Sequence, residues 1–196
     1  NSVYAYQEEI RNGYITINGG HRIGISGKVL SDGLTVKNIR DISGLNIRIA
    51  NAFPGCSKKI IRHIISGPSR VFNTLIVSPP QCGKTTILRD IARSISNGVP
   101  ELGFEGKKVG IVDERSEIAA YYKGSPQNDV GIRTDVLDSC PKRLGMAMLI
   151  RSMSPQVIIT DEIGDEGDRE AIMSVLNAGI KLITTAHGYN ISELRS

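Results

Sequence analysis

The chain has no tryptophan, and phenylalanine and tyrosine together make up only 5% of it. Proteins that hold single-stranded nucleic acid without reading its sequence stack bases on aromatic rings. The scarcity of rings argues against such a platform. Cysteine is also scarce. Cys56, Cys82 and Cys140 have neither paired nor metal-like spacing, and an odd count with no leader-like segment reads as a chain of the reducing cytosol. The three histidines form no ligand cluster with Cys, Asp or Glu. No apolar run is long enough to span a bilayer as a helix. Internal repeats and low-complexity segments are absent. The sequence starts at Asn1 without a methionine and stops at Ser196 just after a helix-like start. Both ends read as cuts in a longer chain.

What remains is ordinary globular composition, 40% hydrophobic and 22% charged in 196 residues, enough for one large or two small domains. The charge is unevenly placed. Residues 1–70 carry ten Lys or Arg against four Asp or Glu, a net +6, while residues 71–196 carry fourteen against sixteen, a net −2. The first third is therefore basic and suits an acidic partner, lipid headgroups or nucleic acid. From Tyr14 to Ala50, short β-branched runs (Tyr14–Ile17, Arg22–Ile25, Leu45–Ile49) alternate with the turn signals Asn18-Gly19-Gly20 and Ser31-Asp32-Gly33. This predicts a small antiparallel sheet. A helix over 58–66 follows, stopped by Gly67-Pro68. These features predict a small basic α+β domain over residues 1–68 and a second domain over 69–196, truncated at its C-terminal end.

In the second domain apolar strands and helices alternate: strand 74–77, helix 84–96, strand 108–112, a helix with Leu144, Met148, Leu149 and Met153 on one face, strand 156–160, helix 168–177 and strand 181–185. That order predicts an α/β fold with a mostly parallel sheet covered on both faces.

Two motifs carry chemistry. Leu75 to Thr86 reads as strand, small-residue turn and Gly83-Lys84-Thr85 opening a helix. This is the layout of a phosphate-binding loop, G-x-x-x-x-G-K-[ST]. Backbone amides of Pro80–Thr86, wherever an N–H exists (Gln81, Cys82, Gly83, Lys84, Thr85, Thr86), would surround phosphate oxygens. Lys84 would reach the β/γ-phosphates and Thr85 would ligate Mg²⁺. The second motif, Val157 to Glu162, is an apolar strand ending in two acids. Asp161 would support Mg²⁺ and Glu162 would take a proton from an attacking water.

Further groups lie on the same rim. Asp113, Glu114 and Glu117 follow the second strand and could position metal or water. Thr185 and His187 end the last strand and could sense a γ-phosphate. Arg133, Arg143 and Arg151 are candidates to reach a neighbouring subunit's site, because a transferred phosphoryl group needs extra positive charge. An Asn-Lys-x-Asp base-reading motif is missing, which argues against a GTPase. No Arg-rich lid follows the core helices, which argues against a small-molecule kinase.

Taken in order, the phosphate loop, the acids of Val112–Glu117, the stretch Arg151–Gly164 and Thr184-Thr185-Ala186-His187 resemble the motifs of the secretion ATPase superfamily, the motors of type II/IV secretion and type IV pili. The similarity runs from about Tyr14 to the C-terminus and is tightest to the superfamily's sporulation members. It implies a RecA-like P-loop NTPase core that hydrolyses ATP with Mg²⁺. Glu162, Lys84, Glu114, Glu117 and His187 would be catalytic. It further implies a homo-hexamer, cytoplasmic and peripheral at the mother-cell side of the forespore membrane. The partners would be membrane-embedded sporulation channel proteins, contacted or packed against through the basic N-terminal domain. Two positions depart from the pattern: Ser78 replaces the loop's first glycine, and Asp161-Glu162 replaces the Gly-Glu common in the motors. A RecA-like nucleic-acid translocase and a nucleotide-dependent assembly module with little turnover are the competing readings.

Overall fold

Glycine-punctuated β-branched runs give the first part of the chain its sheet. The computed structural model describes residues 6–164 and 166–189. A short helix α1 (Gln7–Arg11) precedes strands β1 (Tyr14–Ile17), β2 (His21–Asp32) and β3 (Thr35–Arg48). These pair antiparallel in the order β1-β2-β3. The hairpin joining β2 to β3 turns at Gly33-Leu34, and Gly33 takes φ +58°. Residues 120–127 belong to this first unit: Gln127 Oε1 accepts from Gly19 N at 2.9 Å.

The second unit comprises residues 52–119 and everything after 127. It contains α2 (Lys58–Ile64), the small hairpin β4 (Ile65–Ser66) and β5 (Arg70–Val71), then β6 (Thr74–Ser78), α3 (Lys84–Asn97) and β7 (Val109–Asp113). The excursion into the first unit carries β8 (Tyr121–Tyr122) and β9 (Ser125–Pro126). The chain then continues through β10 (Thr134–Asp138), α4 (Lys142–Ser152), β11 (Val157–Glu162), α5 (Glu166–Asn177) and β12 (Lys181–His187).

Five strands form one parallel sheet in the order β10-β7-β11-β12-β6. Helix α3 packs on one face, placing Leu88, Ile91, Ala92 and Ile95 in the core. Helices α4 and α5 cover the other, where Met146, Leu149, Ala171 and Val175 meet Val112, Ile158 and Leu182. Burial on both faces explains why β7 and β11 read as continuous apolar runs. Among the described residues, no helix is long and apolar enough to cross a membrane.

The structure differs from the sequence reading in several places. The antiparallel strands are much longer than the short runs suggested, 12 and 14 residues for β2 and β3. The units divide after Asn51 rather than at residue 68. The reason is local: Asp90 of α3 accepts from Gly55 N, Ser57 N and Ser57 Oγ at 2.7–2.9 Å, which ties the segment before α2 to the second unit. Strand β10 has no counterpart in the sequence reading, because Thr-Asp-Val-Leu-Asp is a half-buried edge strand without an apolar run.

Helix α4 also turns a different face inward. Gly145, Met146 and Leu149 are buried, whereas Leu144, Met148 and Met153 are substantially exposed. A Cβ on Gly145 would lie 2.5 Å from Val112 Cγ1, so the helix docks through its smallest residue. The helix-like start near the C-terminus lies outside the described residues.

Candidate functional site

In a parallel sheet every strand ends on the same edge. Here that edge gathers Ser78, Asp113, Asp138, Asp161, Glu162 and His187. The turn from β6 into α3 is its most constrained part. Gly83 takes φ +78° and Gln81 φ +61°. Left-handed backbone costs a non-glycine residue about 1–2 kcal/mol, so the strain in this loop falls on Gln81. Ser78, at the position of the pattern's first glycine, is outside the left-handed region and carries no such cost. Pro80, Gln81 and Cys82 are exposed, and Thr85 and Thr86 are half-buried. Helix α3 starts with no side-chain cap and no acid in its first turn, which leaves its first amides open to an anion.

Lys84 is buried and folds back over its own loop. Its Nζ lies 2.9 Å from each of Ser78 O, Pro79 O and His187 Nδ1. An ammonium has three donors and no acceptor, so all three are used and Nδ1 must accept. The other ring nitrogen, Nε2, lies 2.7 Å from Glu162 Oε2. A neutral imidazole protonated at Nε2 satisfies both contacts. Strand β12 lies between β6 and β11 in the sheet, and its last residue therefore links Lys84 to Glu162 through one ring.

A bulge shifts the register of β11 against β12 between Ile159 and Glu162. Bulges re-aim side chains beside functional sites, and this one precedes the two acids. Thr184 Oγ1 donates to Asp161 O at 2.6 Å and fixes the local backbone. The Asp161 carboxylate is buried, and its Oδ1 has no hydrogen-bond partner. Burial pushes its pKa up to about 6, opposed by the charge of Lys142 and reinforced by Asp113 and Glu114. Lys142 Nζ lies 2.7 Å from Glu114 Oε2 and 3.6 Å from Asp161 Oδ1.

Asp113 has a different task. Its carboxylate accepts from the amides of Glu117, Ile118 and Ala119 at 2.8–3.0 Å, so it caps the turn that follows β7. Arg89 of α3 donates to Glu117 O and Ile118 O at 2.9 and 2.8 Å. The helix after the phosphate loop is thereby fastened to the acidic turn, and Glu117 is held there through its backbone. Thr185 is buried in β12, and its carbonyl accepts from Ile163 N.

None of the three arginines is paired with the acids of this edge. Arg133 precedes β10, at the opposite end of the sheet, and donates to Ser96 O at 2.7 Å. Arg143 pairs with Glu170 at 2.8 Å on the surface. Arg151 is exposed in the last turn of α4.

Sequence reasoning missed Lys142, Arg89 and Asp138. Lys142 carried one signal, a lysine opening a helix where an acid is favoured. Among the described residues, no group of three or more His, Cys, Asp or Glu side chains is arranged to hold a metal ion. Mg²⁺ needs no such cage, because it keeps waters and is held by one or two protein ligands plus substrate phosphates. An orphaned, buried Asp161 oxygen and a hydroxyl at the head of α3 fit that requirement.

The family described as "Sporulation stage III, protein AA" matches residues 1–196. Stage III sporulation protein AA of Bacillus subtilis is 48% identical over 193 residues, 98% of this chain and 62% of that protein. The chain thus spans about three fifths of its curated relative. Among solved structures, the Legionella pneumophila ATPase DotB superposes with a TM-score of 0.57 at 16% identity, covering 89% of this chain and 45% of the other. The pilus retraction motor PilT with bound ADP superposes at 0.53 with 15% identity, covering 89% and 46%. The second unit therefore has the RecA-like core fold of secretion and pilus ATPases, preceded by a small antiparallel-sheet unit. The chain belongs to the sporulation stage III protein AA family.

Proposed function

We propose that this chain binds Mg-ATP at the carboxyl edge of its parallel sheet and hydrolyses it as a motor of the secretion type. The observation that carries the reading is the His187 bridge, which holds Lys84 and Glu162 on either side of one ring. Lys84 has two carbonyls and a ring nitrogen as stand-in acceptors, and phosphate oxygens are the stronger acceptors for an ammonium. Moving to the β/γ-phosphates, Lys84 releases His187 Nδ1. His187 registers the γ-phosphate through the loss of that Lys84 contact, while its Nε2–H keeps Glu162 oriented. Glu162 accepts the proton of the water that attacks the γ-phosphorus, and ADP leaves with the β–γ bridging oxygen. Thr85 and Asp161 would hold Mg²⁺, which when bound neutralises charge on the β- and γ-oxygens. Glu114 and Glu117 frame the water side of the site.

Membership of a sporulation stage III family supports assembly or operation of the mother cell–forespore channel in endospore formation as the work that hydrolysis would drive. The chain would act as a homo-hexamer at the mother-cell face of the forespore membrane. The basic first unit would contact channel proteins, lipid or a neighbouring core, and one of Arg133, Arg143 or Arg151 would enter the adjacent site. Turnover of wild type against Glu162→Gln tests the chemistry. The variant keeps nucleotide affinity and loses about 10²–10⁴-fold in rate, while Lys84→Ala loses nucleotide binding. Equal rates for wild type and Glu162→Gln remove Glu162 from its role. Undetectable turnover in both, with ATP-driven oligomerisation, makes the chain an assembly module.

A further inference from the structure

Helix α4 opens on a lysine. A cation at that position meets the positive end of the helix dipole, and no acid in the first turn offsets it. The side chain is nevertheless drawn inward and only 14% exposed. Ordering and desolvating a lysine is costly, and nothing in the helix asks for it. What holds it is a pair of carboxylates, one from the turn after β7 and one from β11. The bond to Glu114 is tight at 2.7 Å, whereas Asp161 Oδ1 lies 3.6 Å away, beyond hydrogen-bond reach. That oxygen is buried and otherwise unpartnered. The acidic cradle is thus only partly neutralised, one ammonium facing two carboxylates, and one of its oxygens is left unsatisfied.

We infer that Lys142 is a placeholder cation: it partly neutralises Asp161 and Glu114 while no divalent ion is present, and its displacement sets how tightly this edge takes up the metal. The inference rests on the Mg-nucleotide reading above. Lys142 is a positioning residue that acts through Asp161. Its grip on Glu114 lets it stay in the site, pivoting away from Asp161 when the metal takes that oxygen. Remove the ammonium, and Asp161 and Glu114 stand beside Asp113 with only the more weakly coupled Arg115 as a positive neighbour. A divalent ion then binds without a competitor.

The test uses Mn²⁺ as the probe, titrated into the full chain and followed by the loss of its free-ion electron paramagnetic resonance signal, with a non-hydrolysable ATP analogue present. Lys142→Met is expected to bind Mn²⁺ about five- to tenfold more tightly than wild type, as loss of one partly screened charge contact implies. Lys142→Arg retains the charge and stays near wild type. Affinity for the analogue in EDTA is unchanged in both, because the phosphate loop is intact. Lys142→Gln, which can still hydrogen-bond Glu114, gives the same gain if the methionine variant does not fold. Unchanged or weaker Mn²⁺ binding in the neutral variants overturns the placeholder role, as does an arginine variant that behaves like methionine. Wild type that takes up neither analogue nor Mn²⁺ overturns the site itself, a failure visible before any variant is compared.

Discussion

Strands β7 and β3 are both rich in β-branched residues, yet every residue of β7 is buried and most of β3 is exposed. The difference is coverage. Each face of the parallel sheet carries helices, so Val109, Ile111 and Val112 lose all contact with water. In the first unit β1 pairs only with residues 21–24 of β2, so the hairpin beyond it runs on as a ribbon of two strands. Such ribbons are marginal in water by themselves. The groups proposed to do chemistry stand on the ends of the buried strands, where a rigid scaffold can hold them to the small tolerance that catalysis needs. The comparison teaches that strand composition alone says little about stability. The layer packed against the strand decides it.

The hardest blow to that contrast is a cavity in the covered sheet. Ile158 of β11 is fully buried between helices and sheet. Ile158→Ala is expected to cost about 2–5 kcal/mol, the usual range for a large-to-small change in a packed core. Urea denaturation gives the size, and amide exchange gives the place: protection falls in β7, β11 and β12. A cost near zero would mean that the sheet is not covered as described.

A smaller effect comes from Asp90, the residue that decides where the units divide. Burial by itself would raise its carboxyl pKa. Bonds from the Ser57 hydroxyl, the Gly55 and Ser57 amides and Arg93 overcome this and hold it at about 2. Because the folded pKa lies below the ordinary value of about 3.8, the unfolded chain binds more protons between pH 4 and pH 2. The stabilisation, about 2 kcal/mol at neutral pH, is present above pH 4 and lost as pH falls through 2. Asp90→Asn should therefore be less stable than wild type by about that amount at pH 7, with the gap closing as pH falls toward 3. A gap that stays constant with pH would show that geometry rather than charge does the tying.

Those residues also show what the chain makes readable. The phosphate loop and the acid-ended strand stand out because their chemistry is carried by consecutive residues. The bridge from Lys84 through His187 to Glu162 is different. That His187 ends a strand is visible in the sequence, but its place between the other two depends on strand order, which packing decides. Lys142 was hidden for a related reason, since its partners arrive from the turn after β7 and from β11. The inward face of α4 misled because large apolar residues draw attention, whereas the helix seats itself through Gly145 against Val112. Strand β10 was invisible because an edge strand can be half polar. Nothing in the sequence marks Asp90, since the loop that it ties lies more than thirty residues away.

The smallest expected effect lies in the first unit, and it sharpens the contrast most directly. Ile47 of β3 pairs with Ile23 at the three-stranded end of that sheet and is still 62% exposed. Threonine keeps the β-branch, and with it the rotamer restriction and strand preference that suit a pleated surface. What changes is the ethyl arm, replaced by a hydroxyl on a side chain already largely in contact with water. Ile47→Thr should therefore move stability by no more than about 0.5 kcal/mol, as surface substitutions generally do, while the cross-strand contact with Ile23 loses a few tenths at most. Urea denaturation of the purified chain, read by amide exchange in β2 and β3, checks this. A loss above about 1 kcal/mol would mean that this face is buried in solution, and that the two sheets differ in what covers them rather than in whether they are covered.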